Sequence, residues 1–249
     1  MAGEWVWYDL MTSDVGAAAE FYGSVMRWRL DTKDAAYGEW IAADGVHLGG
    51  AMGLPMPGMP PMWSAYVEVS GIEGVAEKLK AAGGHVMRPV GEAGGAGKFA
   101  VVSDPDGAMF MLFEGTGAIR GRPAPFGAVG HGTWHELQTN DVDRAWEFYR
   151  ELFGWEPAGS MDIGPAGEYR MYAAPSGGAQ MGGMMRRASP EVPPHWLTYF
   201  QTDAIEGAVE RATAHGGTVV MGPMPIPGGK AAVLRDGQGA YFGLCSSEV

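Results

Sequence analysis

The chain has 249 residues, 46% of them hydrophobic, and a formal net charge of −12. That acidic balance, with no Lys/Arg cluster to offset it, excludes nucleic acid and anionic membrane surfaces as partners. No apolar run approaches the roughly 18 residues of a membrane span, the N-terminal residues lack the basic and apolar regions of a secretory signal, and the single cysteine, Cys245, excludes an internal disulfide, so the expected location is the cytoplasm.

Trp5 to Leu10 has strand composition. Ser13-Asp14 supplies an N-cap for a helix whose apolar residues Val15, Ala18, Phe21, Tyr22 and Val25 recur at intervals of three and four. From Trp28 to about Gly53, short runs broken by Asp44-Gly45 and Gly49-Gly50 predict three brief strands, completing a βαβββ unit. Leu54 to Met62 is a Pro/Met/Gly connector that suits neither a helix interior nor a central strand. Trp63 to Val69 alternates as a strand, and Ile72, Val75, Leu79 and Ala82 mark a helix stopped by Gly83-Gly84. Three strands follow, at about His85 to Pro89, Lys98 to Ser103 and Met109 to Glu114, with Asp104-Pro105-Asp106-Gly107 as the last turn.

After Ala118 to Gly130, which reads as a linker, the pattern returns. Trp134-His135-Glu136-Leu137 repeats Trp7-Tyr8-Asp9-Leu10, and Phe148-Tyr149 and Trp155 repeat Phe21-Tyr22 and Trp28, all displaced by 127 positions. Trp196 to Tyr199 repeats Trp63 to Tyr66, and Gly216-Gly217 repeats Gly83-Gly84. A period of this length is a domain duplication, giving two domains, 1–117 and 131–249, of two βαβββ units each.

The strand with its Asp, the helix ending Phe-Tyr, the helix stopped by Gly-Gly and the Asp-Pro-Asp-Gly turn before a last strand together resemble the vicinal oxygen chelate superfamily, which includes glyoxalase I, fosfomycin and bleomycin resistance proteins and extradiol dioxygenases. More narrowly, Trp7 to Thr12 and Pro194 to Tyr199 look like bacterial proteins of two glyoxalase-like domains. The resemblance covers essentially the whole chain. It implies an α+β fold of two tandem glyoxalase-like domains, in each of which paired βαβββ units form an incomplete barrel around a cavity.

In metal-using members of that superfamily the ligands come from the first strands, the paired-glycine strand and the last strand of the units. Here the corresponding places hold Trp7, Trp134, Ser64, Leu197, Met111 and Gly243, and the neighbourhoods of Gly49-Gly50 and Gly182-Gly183. Such residues do not bind divalent metals in the usual N/O donor sets, so no cofactor is expected. The alternative is a divalent metal held by displaced ligands drawn from His47, Asp9, Glu136 and Gln180. Asp9 stands two residues after Trp7, and Glu136 two after Trp134, on the same strand face. A carboxylate beside indole is a candidate acid or base, so Asp9 and Glu136 are the candidate catalytic residues. Trp7, Tyr66, Met111, Phe113, Trp134, Tyr199, His47 and Gln180 are the candidate ligand contacts, with core packing as the competing reading for each. Phe113 and Cys245 are read as lining, His135 as facing the opposite side of its strand, and His85, His131 and His215 as turn or surface residues.

The expected function is binding of a small apolar or aromatic organic molecule by a monomer or homodimer. The alternatives are acid/base isomerase or lyase chemistry through Asp9 or Glu136, and a metal-dependent lyase or dioxygenase.

Overall fold

The computed structural model describes residues 3–34, 36–117, 127–175 and 177–247. The first half runs β1 (Trp5–Thr12), α1 (Val15–Met26), β2 (Arg29–Asp34), β3 (Tyr37–Ile41), β4 (His47–Gly53), β5 (Met62–Glu68), α2 (Ile72–Ala81), β6 (His85–Glu92), β7 (Gly97–Ser103) and β8 (Met109–Gly115). The second half repeats it with β9 (Gly132–Thr139), α3 (Val142–Phe153), β10 (Glu156–Asp162), β11 (Glu168–Ala173), β12 (Gln180–Arg186), β13 (His195–Gln201), α4 (Ile205–Ala214), β14 (Thr218–Ile226), β15 (Gly229–Arg235) and β16 (Tyr241–Ser247). The expected linker, 118–130, lies outside the described residues as far as 126. Beyond that point it is tied down, since Gly130 donates its N–H to the Gln201 carbonyl.

Local sequence accounts for the helices. The Asp14 carboxylate caps α1 by accepting from the Ala17 N–H, and Asp141 caps α3 through Arg144 in the same way, both at 3.0 Å. Both helices end on a left-handed residue, Arg27 (φ 59°) in α1 and Gly154 (φ 72°) in α3. Among the described residues, no helix is long and apolar enough to cross a membrane.

Each sequence half forms one eight-stranded mixed sheet, in the orders β2-β3-β4-β1-β5-β8-β7-β6 and β10-β11-β12-β9-β13-β16-β15-β14. The fold is therefore α+β, with two tandem domains of paired βαβββ units, as expected. Within each sheet the pairs β1/β4, β5/β8, β9/β12 and β13/β16 are parallel, which each helical crossover or intervening hairpin permits.

Compact packing does not follow the halves. The described residues cluster into one unit within Met1–Val6, Ala65–Pro123 and Trp134–Trp196, and another within Trp7–Ser64, Ala124–Thr133 and Leu197–Val249. Each unit therefore combines a βαβββ segment from one half with one from the other.

In the unit containing α1 and α4, the Tyr22 hydroxyl donates to Asp236 Oδ2 at 3.0 Å and accepts from Trp63 Nε1 at 2.8 Å. Asp236 Oδ1 accepts three backbone N–H groups of its own turn, from Gln238, Gly239 and Ala240. Trp28 stacks on Tyr22 and donates to the Gly130 carbonyl at 2.8 Å. Arg211 of α4 donates to the carbonyls of Ser24 and Val25, satisfying the last turn of α1. His131, expected at a turn or surface, does close a turn, its N–H donating to the Ala128 carbonyl, but its side chain is buried, with Nε2 2.8 Å from Asp44 Oδ2. The chain entering β9 passes against the core, which covers the imidazole and leaves the exposed Asp44 to partner it.

The other unit is built alike. Tyr149 donates to Asp104 Oδ2 at 3.0 Å and accepts from Trp196 Nε1 at 2.9 Å, while Asp104 Oδ1 accepts the N–H groups of Asp106 and Ala108. Burial holds the Asp104 carboxyl above its usual range. Trp155 stacks on Tyr149 and Tyr172 and donates to the Gly3 carbonyl at 2.7 Å.

His135 is stacked on Trp5 at 4.7 Å between ring centroids, with Nδ1 3.0 Å from the Met181 carbonyl oxygen. It faces into the core, as its place in β9 predicted. Burial pushes its pKa down to about 3. A histidine with a depressed folded pKa contributes fully to stability above its unfolded pKa of ~6.5, and that contribution is lost as the pH falls toward 3. Taking the protein from pH 7 to pH 5 should therefore remove about 2 kcal/mol through this residue. Urea unfolding at both pH values checks it: His135→Gln should show a smaller difference than the native chain, and an equal difference would refute the assignment.

Candidate functional site

Alternation along β1 sends Tyr8 and Leu10 into the core, where Tyr8 meets Phe200 edge-on, and turns Trp7 and Asp9 to the other face. The Asp9 side chain is almost fully enclosed, at 2% exposure, and is partnered. Its Oδ1 accepts from Trp7 Nε1 at 2.9 Å and from the Tyr37 hydroxyl at 2.9 Å, and the indole N–H also reaches the Tyr37 oxygen at 3.0 Å. Burial, and then the charge of Asp9, holds the Tyr37 hydroxyl far above its usual pKa. It is a fixed donor.

Tyr37 reaches Asp9 because Gly50 has no side chain. Gly50 lies between the two residues' strands, in register with Asp9, and a Cβ built on it would fall 2.1 Å from the Tyr37 ring. The neighbouring Gly49 is required for another reason, since its Cβ would meet the Tyr8 carbonyl oxygen at 1.7 Å.

The second half repeats the arrangement with different atoms. Trp134 Nε1 donates to the Tyr169 hydroxyl at 2.7 Å, and Tyr169 donates to Glu136 Oε2 at 3.2 Å. Gln138 donates to Glu136 Oε1 at 3.2 Å, and Gly183 provides the gap over which the Tyr169 ring lies. Trp7 with Asp9 and Trp134 with Glu136 are thus brought together as their spacing predicts. Tyr37 and Tyr169 are site residues that the sequence reading missed. The available signal was their repetition, 132 positions apart, ahead of the two Gly-Gly pairs.

The remaining candidates separate into other groups. Tyr66, Met111 and Phe113 are buried together, with Tyr66 in register with Met111 and its ring 6.4 Å from that of Phe113. Phe99 adjoins them, carrying the Arg88 guanidinium 4.7 Å above its ring. Tyr199 lies across Gly243, where a Cβ would fall 2.2 Å from its ring. Cys245 donates to the Phe200 carbonyl and Gln201 Oε1, and burial pushes its thiol up to about 12. His47 pairs with Glu39, Nδ1 to Oε2 at 2.7 Å. Gln180 is exposed and donates to the Ala158 carbonyl at 3.0 Å.

Ser64 precedes Tyr66 on β5 and points away from Trp63, which faces Tyr22 in the core. Its buried Oγ has no hydrogen-bond partner. Ser64 and the Trp7–Asp9–Tyr37 cluster belong to the same compact unit, on the face of the sheet opposite α1. An orphaned buried hydroxyl there is a place where a ligand oxygen or water would be held.

Among the described residues, no three His, Cys, Asp or Glu side chains are close enough together to hold a divalent ion. Where the resemblance would place ligands stand indole, thioether, an aliphatic side chain, a hydroxyl and bare backbone.

The family model described as Glyoxalase/Bleomycin resistance protein/Dioxygenase superfamily matches residues 5–112 and 129–244. The chain is 35% identical to the presumed glyoxylase CFP32 of Mycobacterium bovis over 246 residues, covering 96% of this chain and 92% of that protein. It is 29% identical to the anthracycline biosynthesis protein DauV of Streptomyces sp. (strain C5), covering 96% and 91%. Among solved structures, the Mn(II)-bound glyoxalase from Novosphingobium aromaticivorans superposes with a TM-score of 0.67 at 15% identity, covering 98% of this chain and 81% of that one. A homoprotocatechuate 2,3-dioxygenase variant from B. fuscum superposes with a TM-score of 0.70 at 15% identity, covering 100% and 73%. At that identity both likenesses concern the fold alone.

Proposed function

Given that this chain belongs to the glyoxalase/bleomycin resistance protein/dioxygenase superfamily, we propose that it binds a small, flat aromatic organic molecule and does so without a metal. The observation that carries this reading is the Trp7–Asp9–Tyr37 cluster, with the partnerless Ser64 hydroxyl on the same sheet face. Indole and phenol rings offer stacking area at small entropic loss, and their polar atoms are already held by a carboxylate. The Trp134–Glu136–Tyr169 cluster is a second place of the same kind. The similarity to an anthracycline biosynthesis protein makes polycyclic aromatic compounds the first class to try. We place the domains at 1–117 and 131–249, joined by 118–130, in a cytoplasmic monomer or homodimer whose partner is the small molecule.

Ligand binding should quench tryptophan fluorescence through Trp7 or Trp134 and raise the melting temperature. At a ligand concentration of 100 Kd the added stability is about 2.7 kcal/mol. A panel of two- to four-ring aromatic ketones and phenols is the probe set. If no member quenches or shifts the melt, the reading fails.

A further inference from the structure

The surroundings of the two clusters also differ. In the first half, Glu39 on β3 is in register with Gly50, which is in register with Asp9, so Glu39 and Asp9 emerge on one face on either side of a residue without a side chain. Glu39 holds His47 Nδ1 at 2.7 Å, and both remain partly open to solvent, at 20% exposure for the imidazole and 36% for the carboxylate. The charge of Glu39 is also felt by the Tyr37 hydroxyl, which places it beside the cluster. In the second half the same register reads Met171, Gly183 and Glu136, and Gln180 occupies the place of His47. The binding cluster is duplicated; the His–Glu pair is not.

A carboxylate bound to Nδ1 keeps the neutral imidazole protonated there and leaves the Nε2 lone pair to accept a proton. Neither Gln nor Met can do this. Resting on the proposed aromatic ligand, we infer that proton transfer belongs to the first half alone, with His47 as its base and Glu39 as the residue that positions it. The ligand class is an aromatic compound with an acidic C–H next to a carbonyl. His47 Nε2 takes that proton, the C–H electron pair becomes the C=C of an enolate as the carbonyl π pair moves onto oxygen, and the imidazolium, which is partly open to solvent and exchanges its proton there, returns a proton to the same or a conjugated carbon. No oxidant or reductant is needed. The second half binds and does not turn over.

The test uses the full chain with 2-tetralone in D2O. NMR follows loss of the C–H signals next to the carbonyl, and tryptophan quenching follows binding. Native protein should accelerate the exchange, and His47→Gln should slow it about 100-fold while quenching of Trp134 in the second half persists. Glu39→Met should slow exchange, and Glu39→Asp should restore part of it, a rescue that a merely structural role would not produce. Met171→Glu with Gln180→His should add exchange to a His47→Gln background. Exchange unchanged in His47→Gln overturns the inference. Binding without exchange by the native protein overturns it too, leaving the binding reading intact. If 2-tetralone neither quenches nor exchanges, and the aromatic panel also fails, both fall.

Discussion

Asp236→Ala is expected to lower the unfolding free energy by about 4 kcal/mol, enough to leave a marginal domain partly unfolded at room temperature. The carboxylate is 2% exposed and accepts from the Tyr22 hydroxyl and from three N–H groups of its own turn. Hydrogen bonds to a charged group are worth about 1.5–3 kcal/mol each. The turn can re-solvate part of what it loses, which keeps the total below the sum. Tyr22→Phe removes one bond and should cost about 1–2 kcal/mol. Because Trp63, Tyr22 and Asp236 form one chain of bonds, the double variant should be little worse than Asp236→Ala alone. Urea unfolding of the three variants decides this. A loss under about 1 kcal/mol for Asp236→Ala would show that the turn does not depend on its carboxylate.

Gly50→Ala is expected to act on the site and on stability together. The added methyl would lie 2.1 Å from the Tyr37 ring, so the ring must swing out and release Trp7 and Asp9. Asp9 would then be left buried with one of its donors gone, a penalty of about 2–3 kcal/mol. Quenching by an aromatic ligand should weaken at least about tenfold, equivalent to about 1.4 kcal/mol. Combining Gly50→Ala with Tyr37→Ala removes the collision, so the pair should be less destabilised than the sum of the single changes. Additive losses would mean that Gly50 matters for the strand and not for the tyrosine. Gly183→Ala should do the same to Tyr169 in the second half.

These residues show how far local sequence reaches. Trp7 and Asp9, or Trp134 and Glu136, are two apart on a strand, and alternation alone places each pair on one face. The aim of Tyr37 and Tyr169 depends instead on the register of a neighbouring hairpin and on a side chain missing from a third strand. Neither is encoded near the tyrosine. His47 and Glu39 illustrate the same limit: a shift in the β3/β4 register between Trp40 and Ile41 separates their strands' alternation and lets them meet.

By itself the sequence determined the four βαβββ units, the Asp14 cap of α1, the Gly-Gly helix stops and the duplication, because each rests on contacts within a few residues or on a direct repeat. Only the tertiary structure decided which units share a core. Phe-Tyr helices and Asp turns occur in both halves, so bonding within a half and across halves satisfy the same motifs equally well. The bond from Tyr22 to Asp236, spanning 214 positions, and that from Tyr149 to Asp104 resolve the choice in favour of the crossed arrangement. That choice depends on how whole faces pack together, a property that no local pattern carries.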